Sequence, residues 1–381
     1  MPSTPLAAFA LHFADLEDPR LARTRLHPLT NILVIGLCAV ICGVKHFTQM
    51  AAFGQAKRQW LSRFLDLTHG IPSHDTFNAV FVRLQPAAFE HALLRWMTAL
   101  HEVTAGQIVP IDGKTLRGSY RPGESKALIH MVSAWAAANH LSLGSVVVDE
   151  KSNEITAIPR LLELLDLSGA LVTIDALGCQ KEIAQKIVEV GADYVLAVKD
   201  NQPKLHEAIR TFFTEQLAAA EPATPCRHYH TAERGHGRVE ERNYYVCPVP
   251  ADFSVAEPWP GLKALGLVVN RTERDGQEHW EVRHYILSRK LTGRRFAEAV
   301  RGHWAIENNL HWQLDVTFRE DDLHVYSGHA PTNLSILMRT ALGLLKNETS
   351  QPGGIATKRL TAGWNEDYLE KVLTSTRDKT R

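Results

Sequence analysis

Residues 170–198, ALVTIDALGCQKEIAQKIVEVGADYVLAV, decide the architecture. Ala170–Ile174 is a short apolar run rich in branched side chains, the signature of a buried strand, and it ends at Asp175. Gln180–Val190 then repeats its apolar residues at helical spacing, and Gly191 follows where a left-handed residue closes a helix. Asp193–Val198 is a second apolar strand, ending at Lys199. Strand, helix and strand in so few residues is the unit of a parallel sheet.

Upstream, Gln107–Ile111 is another short apolar run and ends at Asp112. His130–Ala138 and Ser142–Asp149 read as two strands joined by a turn at Asn139–His140. Ile158–Leu165 reads as a helix with Pro159 in its first turn, and Pro203–Phe213 as a further helix. Three strands followed by alternating helix and strand predict a mixed α/β sheet whose first strands are antiparallel. Residues 217–290 break the alternation: a linker-like Ala218–Pro225 precedes the strands Arg238–Cys247, Leu262–Arg271 and Glu278–Ser288, with a hairpin signal at Asp275–Gly276. This segment reads as an all-β insertion. Helix returns at Arg294–Trp312 and Asn333–Leu345, and the basic tail from Glu348 reads as loosely held.

Residues 1–105 read as a helical domain, with Ser73 and Asp75 placed to cap the run through Phe77, Val80, Phe81 and Leu84. Basic groups there (Arg20, Arg23, Arg25, Lys45, Lys57, Arg58, Arg63) suit either a solvated face or phosphate contact by a DNA-binding domain. With 42 basic against 42 acidic residues, global charge does not favour nucleic acid. The apolar run Ile32–Val44 would span only ~20 Å as a helix, too short for a bilayer core, so it reads as a buried helix. No signal peptide opens the chain. Five cysteines without a CxxC pair do not look like a disulfide framework and suggest a reducing, cytoplasmic compartment. Cys226, His228, His230 and His236 match no strong zinc template and read as surface residues of the β insertion.

The chemistry lies in the acids. One aspartate at the end of a buried strand is weak evidence, since strands often lead into polar turns. Two that can sit on neighbouring strands are stronger, because they repel unless a dication lies between them. Glu307 follows on a late helix, within His303–Asn308. Three such carboxylates can hold two Mg²⁺ ions, with Mn²⁺ as substitute, for in-line displacement at phosphorus. Spacing alone leaves the ordinary strand-end reading open.

The words around the acids go further. VPIDGKTLRGS, KSNEITAIPRLLELLDLSGALVTIDALGCQ, DYVLAVKDNQ and HWAIENNLHWQLDVTFRED resemble the H-repeat-associated group of bacterial insertion-sequence transposases, in the DDE superfamily. HPLTNILVIGLCAVICG and GIPSHDTFNAVF resemble the helical segment that precedes the catalytic domain in that group. The resemblance runs from about Asp18 to about Lys346. It implies a ribonuclease H-like mixed sheet with an all-β insertion and an N-terminal helical domain. It also implies Asp112, Asp175 and Glu307 as the catalytic, metal-binding triad of a DNA transposase. The implied partners are double-stranded DNA, as terminal inverted repeats and target, and a second copy of the chain in a synaptic dimer. The segments that follow are 1–105 helical and DNA-binding, 106–216 the first part of the catalytic core, 217–290 the β insertion, 291–347 the last core helices, and 348–381 the tail.

The wider branch has a tyrosine and an arginine before the glutamate and a lysine after it. Here those positions hold Val300, His303 and Leu314, with Arg301 and His303 as a local substitute. Lys114, Arg117, Lys199 and Asn201 are the other candidate DNA contacts. Asp315, Glu320 and Asp321 read as a solvated acidic face. Two further functions share these features: a DNA-binding remnant without catalysis, and a repair nuclease that cuts without joining.

Overall fold

A computed structural model describes residues 5–100, 106–119, 128–138, 140–148, 153–220, 224–235, 237–256 and 258–374. Six helices come first: α1 (Pro5–His12), α2 (Leu29–Ile41), α3 (Phe47–Ala56), α4 (Arg58–Leu61), α5 (His74–Arg83) and α6 (Pro86–Leu100). The strands β1 (Ile108–Leu116), β2 (Ile129–Ala136) and β3 (Leu141–Val148) follow. Then come α7 (Glu154–Leu164), β4 (Leu171–Ile174), α8 (Lys181–Glu189), β5 (Asp193–Val198) and α9 (Pro203–Ala218). Four long strands, β6 (Arg227–Gly235), β7 (Arg238–Pro248), β8 (Ala264–Arg274) and β9 (Gln277–Leu287), lead to α10 (Gly293–Ile306), α11 (Ala330–Asn347), α12 (Ile355–Trp364) and α13 (Glu366–Thr374).

The strand order is β3-β2-β1-β4-β5-β9-β8-β7-β6. β4 runs parallel to β1 and β5 parallel to β4, while β2–β3 and all pairs among β6–β9 are antiparallel. A hairpin strand pair, then parallel strands added through helices on the other side of β1, is the mixed sheet that the strand pattern predicted and the ribonuclease H-like arrangement that the family resemblance implied. The β-rich segment continues the sheet, because β9 pairs antiparallel with β5. The hairpin signal at Asp275–Gly276 is realised with both residues at positive φ, 52° and 75°, the conformation of a two-residue hairpin turn. β6 escaped the sequence reading: HYHTAERG offers no apolar alternation, since its side chains are mostly exposed at the sheet edge. α7 also begins earlier than expected, so Pro159 lies inside the helix and not in its first turn. Asn139 and Asp149, in the expected β2–β3 turn and strand end, lie outside the described residues, as does His236.

The chain divides into two compact units: Met1–Val103, Gly113–Glu150 and Glu307–Arg381 form one, and Thr104–Asp112 with Lys151–Ile306 the other. In the first, α2 is the buried helix its composition demanded; every residue from Asn31 to Ile41 is buried. It packs on α11, with Gly36 admitting Phe81 and Leu337. No helix among the described residues is long and apolar enough to cross a membrane.

The described part of the tail, to Thr374, is not loose. α12 and α13 pack onto α11, and Tyr368, Leu369, Val372 and Leu373 are buried. Arg359 donates to the carbonyls of Val40 (3.1 Å) and Ile41 (3.3 Å) at the end of α2, where Val40 also accepts the Gly43 N–H at 3.1 Å, and its guanidinium lies 4.0 Å over the Phe318 ring. Basic composition suggested mobility, but these cations serve as caps. Burial pulls the Arg359 guanidinium down to about 10. Arg359→Met, which keeps the stem and deletes the donors, should lower unfolding stability by about 2–3 kcal/mol in urea titration.

The cysteine expectation is corrected as well. Cys226 and Cys247, flanking β6 and ending β7, form a disulfide. Antiparallel pairing brings the two positions face to face across the hairpin, which spacing along the chain does not reveal. Cys38, Cys42 and Cys179 are free.

Candidate active site

β1 and β4 are in parallel register through Ile108↔Leu171, Val109↔Val172, Pro110↔Thr173 and Ile111↔Ile174. Asp112 and Asp175 are the next residue on each strand. Neighbouring strands lie ~4.8 Å apart, so the two carboxylates stand side by side where β4 ends, while β1 runs on past the expected strand end at Asp112 to Leu116. Thr173 points toward α10, where its hydroxyl meets His303 Nδ1 at 3.2 Å; Ile108 does too, meeting Gly302. Alternation along the strands therefore puts Asp112 and Asp175 on this same face.

The Asp175 carboxylate caps its own turn. Its Oδ1 accepts the backbone N–H groups of Leu177 (3.1 Å) and Gly178 (3.3 Å). Gly178 is required there, because a Cβ would come 2.3 Å from Ile174 Cγ2 and 3.1 Å from Ile158 Cδ1. Lys199 and Asn201 follow β5 at the same end of the sheet, and both are exposed. Asn201 Nδ2 donates to the carbonyl of Ala176 at 2.6 Å.

α10 is fixed to the sheet along its length. Phe296 fills the space over Gly266 and packs edge-on against Tyr244 and Tyr285. Arg301 pairs with Glu233 on β6, and Arg283 stacks 3.9 Å over the Trp304 ring. His303 is half-buried and turned toward Thr173; burial pushes its imidazole below the usual range although Asp175 pulls it up. At Glu307 the helix changes character. Glu307–His311 and Gln313–Thr317 are π-helical, a widening of the turn that recurs at functional sites. Glu307 itself is exposed, and Leu310 and Leu314 are buried.

In the first unit, Lys114 and the acids after Glu307 are arranged differently from the sequence expectation. Lys114 is buried, 2.6 Å from Asp315 and in contact with Glu320. Glu320 also accepts from Ser335 and lies 3.4 Å from Arg339. Glu320 is therefore a core anion, not part of a solvated face. The backbone N–H of Arg117 donates to Asp321 at 3.2 Å, and the Arg117 side chain is exposed.

Asp112 and Asp175 offer oxygen donors of the kind hard dications take, and Oδ1 of Asp175 is already shared with two amides. Among the described residues, no three His, Cys, Asp or Glu side chains are drawn into one metal-ready cluster.

The ribonuclease H-like sheet sets Asp112, within β1, beside Asp175, the residue after β4, and sequence comparison identifies the family. Residues 104–344 match the model of the transposase DDE domain, and residues 10–97 match the DDE_Tnp_1-associated domain. The chain is 42% identical over 353 residues to "Putative transposase YncI" of Escherichia coli O157:H7, covering 92% of this chain and 90% of that one. It is 38% identical over 370 residues to "H repeat-associated putative transposase YhhI" of Escherichia coli K12, covering 95% and 96%. It is also similar to a piggyBac transposase in a synaptic complex with hairpin DNA, with TM-score 0.45, 10% identity, and 98% and 80% coverage. The chain belongs to the DDE transposase family, in its H-repeat-associated group.

Proposed function

We propose that this chain is a metal-dependent DNA transposase that binds the terminal inverted repeats of its element, cuts a strand at each end and joins the freed 3′-hydroxyls to target DNA. The observation that carries the reading is the register of β1 and β4, which sets Asp112 beside Asp175 in a chain of this family. Asp112, Asp175 and Glu307 would hold the dications. Mg²⁺, or Mn²⁺ in its place, supplies Lewis-acid activation of the attacking oxygen and stabilisation of the leaving one. The chain's own part is to hold those carboxylates and to grip the DNA.

Lys199 and Arg117, both exposed, are placed to neutralise phosphates, and Arg301 can exchange Glu233 for a phosphate oxygen. Lys114 and His303 face inward and act on DNA only through the elements they hold. Residues 1–105 recognise the element end, residues 106–216 and 291–347 carry the catalytic core, 217–290 extend its sheet, and 348–374 brace the helices. Two copies work as a dimer, since two ends must be joined in one event, and the protein acts in the cytoplasm on the nucleoid.

The test is incubation of purified protein with Mg²⁺ and DNA carrying the inverted repeats that flank its gene. Nicking that leaves a 3′-hydroxyl at the element end, followed by joined products with plain DNA, is the expected result. Binding without either product overturns the reading in favour of a silent DNA-binding remnant; cutting of any DNA without joining overturns it in favour of a repair nuclease.

A further inference from the structure

Asp175 sits at the head of a tight turn, and that turn is held from outside as well as from within. Within it, Oδ1 accepts two backbone N–H groups and Gly178 lets the chain close over Ile174. Outside it, the last two residues of the β5–α9 connection reach across to its backbone. Asn201 Nδ2 donates to the Ala176 carbonyl at 2.6 Å, one residue past the carboxylate. Gln202 Nε2 donates to the Cys179 carbonyl at 3.0 Å and reaches Gln180 Oε1 at 3.3 Å. The donors are themselves on a stiff segment: the Gln202 N–H closes a turn onto the Lys199 carbonyl at 2.9 Å, and α9 begins at Pro203.

We infer that Asn201, assisted by Gln202, is a positioning residue for Asp175, and not a contact to DNA. A carboxylate that binds a dication must present its oxygens in a fixed direction, and the groups that orient such ligands are worth about 10–100-fold in metal affinity or activity. Within this turn Leu177 is exposed, while Ala176, Gly178 and Cys179 are packed below it, so the direction of the Asp175 carboxylate depends on how the turn backbone is held. The Asn201 amide clamps the carbonyl that follows Asp175, so the turn keeps one geometry before any metal arrives. This inference rests on the reading of Asp175 as a metal ligand.

The experiment compares wild type, Asn201→Ala, Gln202→Ala and Asp175→Asn as full-length proteins. Mn²⁺ binding to the DNA-free protein is read by paramagnetic resonance of the free ion, DNA affinity by anisotropy in chelator, and cleavage as a function of Mn²⁺ concentration. Asn201→Ala should weaken Mn²⁺ binding and raise the half-activating Mn²⁺ concentration by about tenfold. Its DNA affinity in chelator and its cleavage at saturating Mn²⁺ should stay near wild type. Gln202→Ala should move the same two metal readouts by less, since its carbonyl lies farther from Asp175 along the chain. Wild-type metal binding in Asn201→Ala, or weakened DNA binding in chelator, overturns the inference. If Asp175→Asn binds Mn²⁺ like wild type, it is the ligand role of Asp175 that fails, and the two failures are thereby told apart.

Discussion

Asp112→Asn, Asp175→Asn and Glu307→Gln should each lower DNA cleavage by about a thousandfold or more while leaving DNA affinity in chelator within a few fold. Each exchange keeps size and shape and removes one negative charge. Holding a dication against its hydration shell needs that charge, and the loss of several kcal/mol of charge stabilisation at the reacting phosphate gives the magnitude. Asp175→Asn is the cleanest of the three. The asparagine side-chain oxygen can still accept the Leu177 and Gly178 amides, so the turn persists and the loss reports charge alone. Mn²⁺ should restore part of the activity lost in Mg²⁺, because it tolerates weaker oxygen ligands. Gel assays of nicked and joined products, run beside anisotropy of the same labelled ends, check this. A variant that cleaves within tenfold of wild type removes that residue from the site.

How much of this was legible beforehand follows from physical cause. The strand–helix–strand of residues 170–198 was legible because burial on both faces leaves an unbroken apolar run, and because Gly191 does close α8 in the left-handed region at φ 74°. The two aspartates that follow apolar runs were legible one at a time, but their adjacency was not, since it depends on which strands pair; nor was the course of β1 past Asp112. β6 was hidden for the opposite reason: an exposed edge strand has no buried face to imprint on the sequence. Composition misled at the tail, where Lys358 and Arg359 look like solvated charge but bond carbonyls of α2, α11 and their flanks. The roles of Lys114 and His303 were out of reach as well. Both stand beside catalytic words, and only three-dimensional placement reveals that their polar ends turn into the protein.

Glu320→Gln should cost about 3–5 kcal/mol of unfolding free energy, the largest stability effect expected of a single polar substitution in this chain. The glutamate is 2% exposed and faces Lys114 and Arg339, themselves 8% and 1% exposed, with Ser335 donating to the same oxygen that Arg339 approaches. Burial opposes its ionisation, but Arg339, Lys114 and the hydrogen bonds from Lys114 and Ser335 outweigh it and hold the carboxyl below its usual range. Neutralising it strands two cations in the core, where each has lost its water. Asp315 can balance Lys114 in part, at 2.6 Å, but Arg339 loses its ion-pair partner and keeps only the field of the buried Glu90 carboxyl, whose own ionisation burial opposes. The sign with pH follows from the lowered folded value. The stabilisation is fully present above the unfolded glutamate range, near pH ~4.5, and is lost as pH falls from there through the folded value. Urea titrations of wild type at decreasing pH should show that acid loss, and Glu320→Gln should lack its share of it. Replacing all three charges together, as Lys114→Met, Glu320→Leu and Arg339→Met, should recover most of the stability, because apolar contacts can substitute for a buried ion network but not for half of one. If the single and triple variants are equally unstable, shape and not charge holds this part of the core. Cleavage by a triple variant that folds would further separate the two parts of β1: Lys114 serves the fold, whereas Asp112, two residues earlier, serves the chemistry.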